Sequence, residues 1–190
     1  GKFNAAGATE SANIGQLESD GWSEPGAGLE GDVSALARSP GGDLYAGGSF
    51  KGAGPGVTGS VDFLARWNGT HWEADWPDPN GPVSAVAFAP GGAMYIAGRF
   101  TKVGDVDAPR VAKWDGSEWQ ALGSGFDANV SSLAYDPASQ TLYAAGLFQN
   151  TGGGNLGRNI DHVARWDGSE WNGLGGGTSG WLGRLVRAAV

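Results

Sequence analysis

The chain contains no cysteine, which excludes disulfides, thiolate metal sites and a cysteine nucleophile and leaves the redox compartment open. It has no run of about 18 apolar residues, so no segment reads as a membrane-spanning helix, and no membrane insertion is expected. Positive charge is scarce. Twelve Lys and Arg face 20 Asp and Glu, a net charge of −8, and no basic run offsets it. That balance disfavours nucleic-acid phosphates as partners. No segment keeps a 3.6-residue apolar period, so essentially no helix is expected. The sequence starts without methionine or a signal peptide, which reads as a processed chain or a piece of a longer one.

What is present is glycine, 36 residues of it, and nine tryptophans in 190 positions. Glycine at this level without a triplet period points to many tight turns and many short strands. The aromatics recur at fixed intervals. Three segments open alike at Val33-Ser34-Ala35, Val83-Ser84-Ala85 and Val130-Ser131-Ser132. Each continues to a Tyr and Phe five residues apart: Tyr45 and Phe50, Tyr95 and Phe100, Tyr143 and Phe148. Each ends in a Trp pair: Trp67 and Trp72, Trp114 and Trp119, Trp166 and Trp171. The start of the chain matches in part, with Gly1-Lys2-Phe3, then Leu17 and Trp22 in the places of the Trp pair.

The second Trp always precedes the next opening apolar residue by eleven positions: Trp22 to Val33, Trp72 to Val83, Trp119 to Val130, Trp171 to Leu182. Only the interval from Phe to the first Trp position varies: Phe3 to Leu17, Phe50 to Trp67, Phe100 to Trp114, Phe148 to Trp166. Segments that must pack keep their length, and one loop absorbs the variation. Each repeat holds four short apolar runs, a to d, bounded by turn residues. Four residues join c to d, which makes a hairpin and sets its flanking Trp residues opposite each other.

Four antiparallel strands in about 47–52 residues predict an all-β fold, a β-propeller. Its boundaries are a partial blade 1–31, blades 32–81, 82–128 and 129–180, and a partial strand 181–190. The ends stop in mid-blade, so an incomplete fragment of a larger propeller is expected, with possible association through its edge strands. Small residues on one face of strand a predict large-on-small packing between neighbouring repeats.

Tyr-x-x-Gly followed by the spaced Trp pair resembles kelch-type propellers, including the galactose oxidase-like domain. Gly47-Gly48 matches the kelch glycine doublet, while Ala97-Gly98 and Ala145-Gly146 keep only its second glycine. The wording Arg165-Trp166-Asp167-Gly168-Ser169 is similar to bacterial extracellular propeller repeats and to the fungal cortical cell-polarity marker family. That resemblance implies an extracellular or cell-surface location. It does not extend to copper oxidase chemistry, which requires a cysteine.

No acid–base or nucleophile constellation stands out, so no catalytic residue, metal or cofactor is assigned. His71 and His162 are unpaired in the sequence and read as turn and loop residues. Asp105 and Asp107 fall short of a calcium site and read as solvated. Asp115 and Asp167 read as caps of the c–d turn. Arg66, Lys113 and Arg165 recur before each first Trp and read as structural. Asn68 and Asn129 begin glycosylation-type triplets, a pattern common by chance. A functional site is expected to break the repeat. That directs attention to the b–c loops, with Lys51, Asp62, Lys102, Asp105, Asp107, Arg110, Arg158, Asp161 and His162 as candidate ligand-binding residues. The resulting expectation is a non-catalytic module that binds a protein or carbohydrate. The alternative is a fragment of a propeller hydrolase or lyase with catalytic groups partly outside this chain.

Overall fold

The computed structural model describes residues 1–54, 60–74, 76–151, 160 and 162–174. The expected partial strand 181–190 lies outside them. The described residues form an all-β structure with three four-stranded antiparallel sheets. The first part of the chain makes two small hairpins, β1 (Ala5–Ala6) with β2 (Thr9–Glu10) and β3 (Gln16–Glu18) with β4 (Gly21–Ser23). A single 3₁₀ turn, Pro25–Ala27, follows. Sheet one then comprises β5 (Val33–Arg38), β6 (Leu44–Gly48), β7 (Leu64–Trp67) and β8 (Trp72–Glu73). Sheet two runs β9 (Val83–Phe88), β10 (Met94–Gly98), β13 (Val111–Trp114), β14 (Trp119–Ala121), and a hairpin of β11 (Lys102–Val103) and β12 (Val106–Asp107) interrupts its sequence. Sheet three contains β15 (Val130–Asp136), β16 (Thr141–Gly146), β17 (Val163–Trp166) and β18 (Trp171–Gly173).

The c–d hairpins place the Trp residues as their spacing requires. Trp67 faces Trp72, Trp114 faces Trp119, and Trp166 faces Trp171. Ring centroids lie 5.4, 5.3 and 5.4 Å apart in tilted geometry, within the favourable range for aromatic pairs. Leu17 faces Trp22 in the equivalent hairpin. The turns between them close on one side-chain oxygen. Asp167 Oδ1 accepts from Ser169 N–H, Ser169 Oγ–H and Glu170 N–H, each at 2.9 Å. Asp115 repeats that pattern, and in the first sheet Asn68 does the same work. The capping role expected of Asp115 and Asp167 is therefore seen. Arg66 pairs with Glu73 at 2.6 Å, one of the structural roles expected at its position.

These bonds favour the ionised carboxylate, and the Glu170 and Ser169 backbone N–H groups hold Asp167 down at about 2. The stabilisation is present above the ordinary Asp value of about 3.9 and is lost as pH falls through about 2. An NMR titration is expected to give the Asp167 carboxyl a midpoint near 2, and Asp167→Asn is expected to keep the turn, as Asn68 does. A midpoint near 4 would show that the turn does not bind the carboxylate.

Packing between sheets is large on small. A Cβ on Gly47 would meet Val83 Cγ1 at 2.7 Å and Val86 Cγ2 at 3.1 Å. Ala85 and Ala97 of sheet two share a core with Val130 and Leu133 of sheet three. Tyr45 packs on Phe88 across the first junction, and Tyr95 on Tyr135 across the second. The b–c segments hold more structure than expected. Where the Phe-to-Trp interval is short, the loop is a hairpin, β1–β2 or β11–β12. Gly7 and Gly104 supply positive φ at the first of its two turn residues, as type II′ turns require.

Candidate binding site

The opening motif Val-Ser recurs in a strand whose first residues are otherwise apolar or small, and the structure explains it. In each four-stranded sheet the first two strands slip register at that serine. Val33 pairs with Gly48 and Ala35 with Gly47, which leaves Ser34 as the extra residue. Ser84 and Ser131 are the extra residues of the other two sheets. A bulge re-aims a side chain. All three serines line one cavity of about 750 Å³, where β5, β9 and β15 lie side by side. Among the described residues none of these three hydroxyls takes part in a hydrogen bond.

The rim comes from two further positions of each repeat. Phe50, Phe100 and Phe148 are buried, and the glycine two residues before each backs onto the chain, so the residue between them points the other way. Those residues are Ser49, Arg99 and Leu147, and all line the cavity. Their backbone N–H groups donate to the carbonyls of Asp32, Pro82 and Asn129 at 2.8, 2.9 and 2.8 Å. Asp32, Pro82 and Asn129 line the cavity as well. One backbone bond, repeated three times, thus sets variable side chains around a constant ring of serines. The cavity carries a carboxylate, a guanidinium, an amide and several hydroxyls beside Leu36, Val86 and Leu133.

Of the residues expected to bind ligand from the b–c loops, those among the described residues (Lys51, Asp62, Lys102, Asp105, Asp107, Arg110 and His162) are not part of this lining. Lys51 Nζ sits 5.4 Å from the Phe63 ring centroid, a cation–π contact. Lys102 Nζ bonds Asp107 Oδ1 at 2.8 Å across β11–β12, and this bond raises the lysine above its ordinary value. Asp105 is exposed at the tip of the same hairpin. Asp62 lies beside Asp78, whose carboxyl is pushed up by burial and further by the Asp62 charge, while a Ser60 hydrogen bond opposes both. Arg158 and Asp161 lie outside the described residues. Among the described residues no group of three or more His, Asp or Glu is placed to hold a metal ion.

Arg110 and His162 share a structural position. With Asn13 and Phe63 they are non-glycine residues at φ between 66 and 73°; Phe63, Arg110 and His162 stand directly before β7, β13 and β17, and Asn13 stands three residues before β3. Each donates its N–H to the carbonyl of the repeat's phenylalanine, Phe3, Phe50, Phe100 or Phe148, at 2.9–3.0 Å. The loop base is thus latched alike in all four copies. Arg110 also donates through Nη1 to the Arg99 carbonyl, so it holds the backbone behind a cavity residue. His162 Nδ1 lies 3.2 Å from the Gly146 carbonyl oxygen.

Two signals could have found the cavity in the sequence. One is a serine kept in an apolar strand. The other is a single variable position inside the otherwise fixed Gly-x-Phe element. No family model matches the chain, and no curated protein matches it either.

Proposed function

We propose that the chain is part of a β-propeller of kelch-like repeats, acts outside the cell or at its surface, and serves as a non-catalytic binding module. Its ligand is a polar segment of a glycan or protein, held in the cavity ringed by Ser34, Ser84 and Ser131. The observation that carries this reading is the convergence of three bulge serines and the variable Gly-x-Phe residues on one cavity of about 750 Å³. That size lies within the usual range of ligand pockets, and fixed polar groups in such a pocket provide orientation. The b–c loops, with Lys51 and Asp105, form the outer part of the same recognition face in this proposal.

Glycan and peptide arrays probed with the whole chain test it. The double variant Arg99→Ala, Asp32→Asn is expected to lose about tenfold or more in affinity for any ligand captured, the scale of hydrogen bonds to charged groups. Lys51→Ala with Asp105→Ala is expected to change affinity less. Unchanged capture by the Arg99 and Asp32 variant would remove the cavity from the binding face.

A further inference from the structure

Arg99 lines the cavity and is exposed, and among the described residues its guanidinium makes no hydrogen bond or ion pair. Its counterparts in the repeats on either side, Ser49 and Leu147, are exposed as well. The middle repeat shows the same exposure as its neighbours, so exposure belongs to this position of the repeat. The backbone bonds to Pro82 and Asn129 hold the position, and they ask nothing of the side chain. Yet one repeat presents a cation there and the next a leucine that is 56% exposed. Leu147 shares the cavity with Val86 and Leu133, which give it an aliphatic wall.

Two further features bear on what enters. β5, β9 and β15 are each the end strand of their sheet, and they lie side by side with no ladder between them. End strands carry unpaired N–H and C=O groups, and a peptide main chain can bond to such an edge. Sugar rings, by contrast, are commonly gripped by stacking their C–H faces on aromatic rings, and among the described residues no aromatic side chain lines the cavity. An aliphatic wall takes an aliphatic side chain and does nothing for sugar hydroxyls. The guanidinium matches a carboxylate in bidentate geometry. The net charge of −8 opposes a strongly acidic segment, so the match is to one carboxylate among neutral residues.

We propose that the occupant of the cavity is a peptide segment of a partner protein. One acidic side chain of that segment pairs with Arg99, and a nearby aliphatic side chain packs on Leu147. The residue between the glycine and the phenylalanine of each repeat is then its specificity determinant. This inference rests on the cavity reading above and narrows the ligand to protein.

The probes are an array of peptides that carry one Glu and one Leu at varied spacing, the same peptides with Gln for Glu or Ser for Leu, and a glycan array. Ser, Arg and Leu all occur at this position of the repeat, so exchanges among them are expected to keep the fold. The whole chain is expected to capture peptides that carry both residues. Arg99→Ser is expected to weaken capture of the Glu peptides on the order of tenfold or more and to leave the Gln peptides unchanged. Leu147→Arg is expected to abolish the preference for Leu and to favour peptides with a second Glu in its place. Peptide capture that is indifferent to Glu against Gln, or unchanged in Arg99→Ser, overturns the inference. Capture of glycans alone, lost in the Arg99→Ala, Asp32→Asn double variant, also overturns it and leaves the cavity as the binding site. Capture that ignores every cavity variant, or no capture on either array, overturns both readings. Near-ultraviolet circular dichroism checks that each variant is folded, and Arg99→Leu replaces Arg99→Ser if that variant is not.

Discussion

Trp72→Ala is expected to destabilise the protein by about 3–5 kcal/mol. Trp72 is fully buried, packs against Trp67 at 5.4 Å, and joins the first complete repeat to the residues before it through the Pro25 carbonyl. Truncation removes the buried ring, opens a cavity between packed strands, and takes away one of the two donors to the Pro25 carbonyl, which keeps the Gly28 N–H at 3.2 Å. The repeat supplies an internal control. Trp22 occupies the same position but is 44% exposed, so Trp22→Ala is expected to cost no more than about 1–2 kcal/mol in the monomer. Urea unfolding of both variants at low protein concentration checks the pair. Equal costs would mean that the Trp position stabilises its own hairpin rather than the joint between repeats.

Gly98→Ala is expected to cost about 3 kcal/mol or more, the upper part of the range for overpacking. The reason is not backbone conformation, since Gly98 has no positive φ. A Cβ there would overlap the Pro82 carbonyl oxygen, and Gly48 and Gly146 stand in the same relation to Asp32 and Asn129. Those carbonyls accept the bonds from Arg99, Ser49 and Leu147 that build the cavity rim, so they cannot move without opening it. Gly47→Ala is the contrasting case. Its new methyl would meet Val83 Cγ1 and Val86 Cγ2, side-chain rather than backbone atoms, and the other two repeats already carry alanine there. A cost within about 1 kcal/mol is expected for it. Equilibrium unfolding of both variants decides the matter, and a tolerated Gly98→Ala would show that the carbonyl gives way.

The Gly47–Gly48 doublet thus divides into two roles that the sequence hints at and the structure explains. The first position only needs to be small, because it faces a side chain of the next repeat. The second needs glycine, because it faces backbone. The same division holds in the c–d turns. Asp115 and Asp167 were legible as caps because an oxygen two and three residues before free N–H groups acts locally, whatever the rest of the chain does; Asn68, read only as the start of a glycosylation-type triplet, turns out to cap in the same way.

The b–c loops were harder to read. Their variable length drew attention to their charged residues, yet Lys102 and Asp107 pair with each other, and Arg110 and His162 belong to a backbone latch. Charge in a loop does not say whether a side chain faces its own hairpin or a ligand.

The sequence by itself determined the repeat, its four strands, the opposed Trp pairs and the turn caps. Each of these depends on residues close along the chain, whose period and spacing fix their geometry. Only the tertiary structure decided that Ser34, Ser84 and Ser131, about 50 residues apart, share one cavity, and that Asp32, Arg99 and Asn129 stand around it. That convergence depends on how three sheets lie beside one another and on a one-residue slip in each. A slip of one residue changes which way a side chain points without changing the composition or the spacing of the strand.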